Sequence, residues 1–450
     1  MRKFIQKNYR YLIFCFIAII LIYVLGFYNY EGDSYANFSF CSALVRGNIL
    51  YNDINTITTP LYTVIMSLLL YINDSYFIFL LEHVILFFLL QVILYKMMGN
   101  KSYLIITLFV FSRYVLLGTT YNFLLLILLI LLAYLEDNYK DNDYLIGFII
   151  GLSILTKHVV GVFFIIPSLI FYFKNKDKLF KRFIGLVIPC IIFFIYLLFT
   201  GSLYSFLDLC LFGLFDFANK NSGGMQFDKI MTTIITVIMF IISLFIIIKH
   251  KKDIRNYYLI LGVLFVIPLF DFYHFYFFFL CFCVMISFYL DLGIYKKYFY
   301  GFIISLTIVI GIVLFITEDL SRGIMIADVN KLDNTLVYKD SYKDMIDFNN
   351  YLDQFADVIV LSYYSKFYTN YKNRDFTYYD IPMYGNFGYD GINKMIKKIE
   401  STHDQYFAIG MGDYTNPNDY SQFYKEVCKY VIDNYEFVDE KGIMFIYYKE

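Results

Sequence analysis

The segment "IMTTIITVIMFIISLFIII", residues 230–248, contains no charged residue. A run of about 20 apolar residues is long enough to cross the hydrocarbon core of a bilayer as a helix. Further apolar runs alternate with short charged segments, and the whole chain is 60% hydrophobic and 17% charged. This pattern predicts a polytopic α-helical membrane protein. The net charge of −1 provides no basic surface of the kind that binds nucleic acid.

Eleven apolar runs are candidate transmembrane helices. The stretch 60–72 is also apolar, but at about 13 residues it is short for a span, and we place it on the outer membrane surface. The candidate spans are residues 11–28, 75–95, 102–118, 121–135, 143–156, 159–173, 183–200, 230–248, 256–270, 274–290 and 298–316. The two spans 143–156 and 159–173 are so close that they form either a tight hairpin or one broken helix.

The basic residues determine the predicted orientation. With 60–72 outside the bilayer, the basic clusters at 2–10, 96–101, 174–182 and 249–255 all fall on the same side as the N-terminus. Cytoplasmic loops carry an excess of Lys and Arg. We therefore expect a multi-pass plasma-membrane protein with a cytoplasmic N-terminus, a transmembrane domain over 1–318, and an extracytoplasmic C-terminal domain.

The C-terminal residues 319–450 have a different composition, with more charge and shorter apolar runs. The pattern predicts strands at 356–364 and 406–412, amphipathic helices at 341–355 and 416–435, and a closing hairpin at 436–449. This is an α/β domain. The segment "GNFGYDG", residues 385–391, has a glycine spacing that suggests a nucleotide loop, but no strand leads into it. A glycine-rich turn before a helix is favoured there.

The first predicted outer loop, residues 29–74, is long, acidic and aromatic. Asp33 follows the first span by only a few residues, where lipid headgroups and water meet. A carboxylate at that position could accept a proton from an acceptor hydroxyl, as a general base does. The alternative is that Glu31 and Asp33 are solvated loop acids without a catalytic role.

This loop resembles the first outer loop of the GT-C membrane glycosyltransferases, in particular the family-39-like group of protein O-mannosyltransferases and aminoarabinose lipid A transferases. The shared features are the acids Glu31 and Asp33, then Tyr35-Ala36, Gly47, Tyr51-Asn52-Asp53 and Pro60-Leu61-Tyr62. The resemblance covers roughly residues 10–320. It implies that Asp33 or Glu31 is the catalytic base, and that substrate is bound by Tyr35, Arg46, Tyr51 and Asp53. Because the two acids are separated by Gly32, either could occupy the catalytic position.

Two further segments resemble the same superfamily. "IGFIIGLSILTKHVVGVF", residues 146–163, resembles its Gly-Leu-x-x-Leu-Thr-Lys segment and places Lys157 and His158 where a lipid phosphate would bind. The alternative is a lysine that simply extends to the interface. "VIPLFDFYHFYFFF", residues 266–279, resembles its Pro-x-x-Asp-x-x-His turn. There Asp271 could cap a helix and orient His274 towards phosphate or sugar; capping alone is the alternative.

The resemblance implies an inverting glycosyltransferase. A sugar carried by a polyprenyl phosphate would pass in one displacement to a hydroxyl group of a glycan, lipid or protein. The loop before the fourth span, "GTTYNF", lacks an acid that many relatives carry, so no metal site is predicted, although a divalent ion stays open. No cofactor other than the lipid-linked donor is expected. A lipid-linked glycan polymerase or ligase is one alternative, and a non-catalytic flippase or transporter is another, although the sequence shows no internal repeat.

Overall fold

The structure is a computed structural model. It describes residues 9–20, 33–111, 120–139, 141–215, 227–267, 272–289, 350–355, 357–361, 385–410, 422–441 and 444–450, the short strands 324–326 and 336–338, and the positions 298, 301, 302, 305 and 309. The statements below concern these residues.

Helices dominate the first 290 residues. They are α1 Tyr9–Ile20, α2 Asp33–Val45, α3 Leu61–Met66, α4 Tyr76–Met98, α5 Ser102–Phe111, α6 Tyr121–Asn138, α7 Asp143–Thr156, α8 His158–Tyr172, α9 Lys176–Phe199, α10 Leu203–Phe215, α11 Phe227–Lys249, α12 Ile254–Phe265 and α13 Phe272–Tyr289. The segment 60–72 forms only the six-residue helix α3, which is far too short to cross a bilayer.

Four helical segments among the described residues are long and apolar enough to cross a membrane. They are Tyr76–Thr107, Tyr121–Asn138, Lys176–Phe199 and Ile230–Lys249. This is fewer than the eleven spans that the sequence predicts. The remaining apolar helices are 10–17 residues long within the described residues, and the eleventh candidate, 298–316, lies mostly outside them.

Residues 143–172 form a tight hairpin rather than one broken helix. Lys157 adopts an extended conformation between α7 and α8, with φ −154° and ψ 95°. The chain then reverses, so that the Cα atom of Gly161 packs directly on the backbone of Ser153, where a Cβ atom would overlap the Ser153 carbonyl. Gly161 is therefore required for the close return of α8 along α7.

Helix α9 lies parallel to α7 in close contact through small residues. A Cβ atom at Gly147 would overlap the Arg182 carbonyl, and one at Gly185 would overlap the Tyr144 carbonyl. Small residues allow helix backbones to approach closely, which is typical of helix packing in membranes.

The helices have two chemically distinct ends. We call the end at Lys157, the turn 49–59 and α10 the loop end, and the opposite end, at Glu136, Asp143 and Arg182, the ionic end. Asn122 and Glu136 lie near opposite termini of α6, and Asn122 contacts Lys157 while Glu136 contacts Arg182. The consecutive helices α6, α7, α8 and α9 alternate in direction between these two ends.

A buried ionic network closes the ionic end. The Arg182 guanidinium on α9 donates to Asp143 Oδ1 at 2.8 Å, to Glu136 Oε2 at 3.1 Å and to Ser168 Oγ at 2.8 Å. The Tyr258 hydroxyl on α12 also donates to Glu136, at 3.1 Å. The side chains of Arg182, Glu136 and Asp143 are each at most 4% exposed. The network joins five helices, α6 to α9 and α12.

The C-terminal part contains β1 Ile324–Ile326, β2 Leu336–Tyr338, β3 Ile359–Leu361, α14 Gly391–Glu400, β4 Gln405–Gly410, α15 Gln422–Asn434, β5 Glu436–Lys441 and β6 Met444–Lys449. Four strands form a sheet in the order β3-β4-β6-β5, in which β3 and β4 are parallel and the other pairs antiparallel. Helices α14 and α15 pack on it through buried residues such as Met395, Ile399 and Val427. The predicted strands around 359 and 406, the second amphipathic helix and the closing hairpin are confirmed.

Candidate functional site

The turn after α2 is fixed by its own side chains. Asp53 Oδ2 accepts the Ile49 N–H at 2.7 Å and closes the turn. Tyr51 has a left-handed backbone, with φ 72°, and its hydroxyl donates to the Thr58 carbonyl at 3.0 Å. Its ring is buried against Phe193 and Phe206. Two of the residues predicted to bind substrate, Tyr51 and Asp53, thus shape the loop, and a contact with substrate stays a prediction for both.

The segment 56–59 joins this turn to the neighbouring helices. Thr59 Oγ1 donates to the Ile154 carbonyl at 2.9 Å, close to the end of α7. The Cys210 thiol on α10 lies 3.6 Å from the Thr56 carbonyl and 3.7 Å from the Thr58 carbonyl. The loop therefore packs between the tip of the α7–α8 hairpin and α10.

Lys157 stands at the hairpin tip and points towards the start of α6. Its Nζ donates to Asn122 Oδ1 at 3.0 Å and lies 5.4 Å from the centre of the Tyr121 ring. The lysine is half-buried, whereas Asn122 is 1% exposed. A half-buried ammonium group beside an amide oxygen and an aromatic face is a group that can attract an anion.

His158 is the second polar group at the tip. Its ring faces the carbonyl of Cys210 on α10. Both ring nitrogens are shielded from solvent, and neither makes a hydrogen bond of ordinary geometry in the structure as described. The half-buried imidazole therefore lies between the hairpin tip and α10, next to the first loop.

The start of α13 reaches the same end of the bundle. The Tyr273 hydroxyl is hydrogen-bonded to Thr120, which immediately precedes α6. The half-buried His274 follows, with its ring 5.0 Å from that of Tyr273. The sequence prediction that His274 and Lys157 belong to one site is therefore compatible with the placement of α13 next to α6. Asp271 lies outside the described residues.

The remaining predicted residues belong to α2 or its vicinity. Arg46 Nε forms an ion pair with Asp74 Oδ2 at 2.9 Å, and Ser42 Oγ donates to the same oxygen at 2.8 Å. Asp33 is the first residue of α2 and Tyr35 lies in its first turn, and the positions of their side chains are not among the described features. Glu31 lies outside the described residues. The catalytic assignment of Asp33 or Glu31 stays a prediction.

The C-terminal domain packs on α10 at the loop end. Asp208 lies at the start of a π-helical turn, Asp208–Phe212, and its carboxylate accepts hydrogen bonds from the Lys394 ammonium group and, at 3.2 Å, from the Tyr389 N–H. Gly388, with φ +74°, lies so close that a Cβ atom there would overlap the Asp208 carboxylate. The turn 385–391 is thus a glycine-rich turn before α14, as expected, and it is also a docking surface.

Helix α14 also brings positive charge near the first loop. Burial lowers the pKa of Lys398, and the nearby negative charge of Asp53 opposes that shift. The sequence did not single out Asp208, although a lone carboxylate in the apolar segment 201–215 was a signal for it. Asn122, in the segment "GTTYNF" that lacks the acid, is a hydrogen-bond partner of Lys157.

Within the described ranges, no group of three or more His, Cys, Asp or Glu residues is arranged to hold a metal ion. Comparisons with protein families, curated proteins and solved structures returned no match to this chain.

Proposed function

We propose that the protein is an integral-membrane inverting glycosyltransferase that moves a sugar from a polyprenyl-phosphate donor to an acceptor hydroxyl on the outer face of the membrane. One observation carries the proposal. The first loop packs against the hairpin tip that bears Lys157 and His158. Thr59 of the loop donates to the Ile154 carbonyl beside that tip, and Cys210 of α10 contacts both the loop and the His158 ring. The loop in which the resemblance places the catalytic acid thereby adjoins cationic and imidazole groups suited to phosphate.

The reaction needs a base and a phosphate-binding group. The acceptor oxygen would bond to the anomeric carbon while the bond from that carbon to the phosphate oxygen breaks. The hydroxyl proton would pass to Asp33, or to Glu31, and the electron pair would leave with the lipid phosphate. Lys157 and His274 would neutralise the charge on that phosphate. Because a phosphate is a good leaving group, no general acid is needed, and a single displacement inverts the anomeric configuration.

The membrane topology belongs to this proposal. Helix direction alternates between the ionic and loop ends from α6 to α9, which suits the eleven-span arrangement, in which short helices such as α7 and α8 would be further spans. The basic segments 174–182 and 249–255 belong to the ionic end, which would face the cytoplasm. The loop end, with the first loop and the C-terminal domain, would then face outward. A lipid-linked donor could reach it from the outer leaflet.

Two other functions remain candidates. A polymerase or ligase would use a whole lipid-linked oligosaccharide at the same groups. A flippase or transporter would need polar groups near the middle of the membrane, often at broken helices. Lys157 does lie at a break between two helices, but at a helix tip that also contacts an extramembrane loop. That placement favours group transfer at a surface.

The proposal is tested with membranes that contain the protein and a panel of polyprenyl-phosphate sugars labelled in the sugar. The measured quantities are label transferred to acceptor and polyprenyl phosphate released. Asp33→Asn retains the size of the side chain but cannot accept the proton, so turnover should fall roughly 10²- to 10⁴-fold. Glu31→Gln should lose less. Asp141→Asn, an exposed acid at the ionic end, is the matched control and should transfer at the wild-type rate.

The outcomes separate the candidates. If Glu31→Gln is inactive and Asp33→Asn is active, Glu31 is the base and the mechanism is retained. If both variants transfer sugar normally, the first loop is not the catalytic centre and the proposal is wrong. Consumption of labelled oligosaccharide donors alone would indicate a polymerase or ligase. Movement of labelled lipid across the bilayer without any transfer would indicate a flippase.

A further inference from the structure

A basic cleft lies at the ionic end, remote from the loop end. It has a volume of ≈ 550 Å³ and is lined by the turn 249–253, by Arg255 at the start of α12 and by Asp137 at the end of α6. None of these residues takes part in the proposed transfer of sugar. The cleft opens at the terminus of α11, where a transmembrane helix would leave the bilayer.

The floor of the cleft is held rigidly by paired groups. The Arg255 guanidinium donates to both oxygens of Asp253 at 2.8 Å and to Asp137 Oδ2 at 2.9 Å, and it lies 4.3 Å from the centre of the Phe288 ring. The Tyr289 hydroxyl donates to Asp253 at 3.1 Å. The two carboxylates are thereby bound to internal donors.

The rim of the cleft carries the free positive charge. Lys249, Lys251 and Lys252 are exposed, and within the described residues none of them forms an ion pair. The His250 ring stacks on the Tyr289 ring at 3.9 Å, which fixes the turn that bears the lysines. Arg255 and its two acids, Asp253 and Asp137, together carry a charge of −1. With the three lysines, the cleft has a net charge of +2.

Apolar surface continues from the cleft along α11. Ile241, Phe245 and Ile248 are 58%, 65% and 73% exposed, and they lie in the two turns of α11 that precede Lys249. A ligand with an anionic head and apolar chains would satisfy both surfaces at once. We propose that the cleft binds the phosphate headgroup of an anionic phospholipid, whose acyl chains lie along the C-terminal half of α11.

The cleft differs from the other basic cluster at the same end. In 174–182, Lys178 pairs with Asp141 at 3.1 Å, Lys181 pairs with Asp177 at 2.7 Å, and Arg182 is buried in the ionic network. Those three cations are already neutralised by protein carboxylates, and Lys174 and Lys176, which form no ion pair among the described residues, do not line the cleft. A matched pair of variants can therefore distinguish a specific lipid site in the cleft from general attraction between basic residues and an anionic membrane.

The test uses the full-length protein in neutral detergent. Bound lipid is counted by native mass spectrometry, and the thermal midpoint is followed during titration with dioctanoyl-phosphatidylglycerol. Dioctanoyl-phosphatidylcholine and inorganic phosphate are titrated in parallel. The site variant is Lys249→Gln/Lys251→Gln/Lys252→Gln, and the control is Lys176→Gln/Lys178→Gln/Lys181→Gln, which removes the same charge from the same end.

Each basic residue near an anionic headgroup contributes roughly fivefold to affinity, so the site variant should bind phosphatidylglycerol on the order of 100-fold more weakly. The control should bind it like the wild type, and phosphatidylcholine should bind weakly to all three proteins. Equal loss in both variants would reduce the effect to general electrostatics and overturn the proposal. Stabilisation by inorganic phosphate equal to that by phosphatidylglycerol would show an anion site that does not recognise lipid, and would also overturn it.

Discussion

Replacement of Gly388 by Ala should release the C-terminal domain from α10. Gly388 has φ +74°, and an added Cβ atom would overlap the carboxylate of Asp208. A non-glycine residue in left-handed backbone costs roughly 1–2 kcal/mol. Displacing Asp208 also weakens its bonds to Lys394 and to the Tyr389 N–H. Because the Lys394 side chain is 39% exposed, we allow only about 1 kcal/mol for each bond.

The total of about 3 kcal/mol corresponds to a roughly 100-fold larger population of undocked molecules, since each 1.4 kcal/mol is a factor of ten. Hydrogen exchange measured by mass spectrometry reports this directly. Exchange should accelerate in 385–400, while 422–434, in the core of the domain, stays protected. Gly201→Ala is the control: it has φ +66° but no atom within 4 Å of an added Cβ, so it introduces strain without a clash.

Wild-type exchange rates in 385–400 of Gly388→Ala would refute the docking argument. If 422–434 also lost protection, the substitution would have unfolded the domain itself. In that case Asp208→Asn distinguishes loss of docking from unfolding, because it removes the charge that Lys394 binds and leaves the backbone at Gly388 unchanged. It should accelerate exchange in 385–400 alone, by less than Gly388→Ala does.

Four further predictions concern the two ends of the bundle. Lys157→Gln should weaken binding of a polyprenyl-phosphate donor by about tenfold or more without lowering the thermal midpoint, as measured by donor binding and by calorimetry; an unchanged donor affinity would assign Lys157 to the interface alone. Arg182→Gln leaves two buried carboxylates without their cation and should cost about 3–5 kcal/mol in chemical unfolding, and a loss under 1 kcal/mol would contradict the network. Burial raises the pKa of Asp253, but hydrogen bonds from Arg255 outweigh this effect and hold the pKa below its usual value of 3.8. The contribution of the ionised Asp253 to stability should therefore be complete above pH 3.8 and disappear as the pH falls through the lower pKa of the folded state. The difference in thermal midpoint between wild type and Asp253→Asn should be constant above about pH 5 and shrink in acid. Finally, an impermeant thiol reagent applied to intact cells should label Lys397→Cys and spare Lys251→Cys, and the reverse pattern would invert the proposed orientation.

Apolar runs and basic clusters were sufficient to predict a helical protein with a separate C-terminal α/β part. They placed the junction of α7 and α8 at Lys157 to within two residues, but they could not decide between a hairpin and a broken helix, because the reversal depends on the close contact of Gly161 with Ser153 in the packed structure. The pattern also could not show that Arg182 is buried. In sequence it belongs to a cluster of lysines, and only the positions of Glu136 and Asp143 distinguish it.

In the candidate site, too, the sequence identified some residues, and others depended on tertiary contacts. Lys157 and His158 stood out because ionisable residues are costly beside a hydrophobic hairpin. Arg46 and Tyr51 stood out by resemblance, and the structure gives both of them protein partners, Asp74 and the Thr58 carbonyl. Asp208 and its partners could not be predicted, because Lys394 is 186 residues away along the chain and no local pattern encodes a contact at that separation.

That separation also sets an order of events during biosynthesis. Asp208 leaves the ribosome long before Lys394 and Tyr389, so for most of translation the π-helical turn of α10 exists without its partner. The contact can form only after Tyr389 and Lys394 have been synthesised, and the helices up to α13 precede both of them along the chain. Until then the Asp208 carboxylate lacks both of these donors. Closure of this end is therefore a late event in the synthesis of the protein.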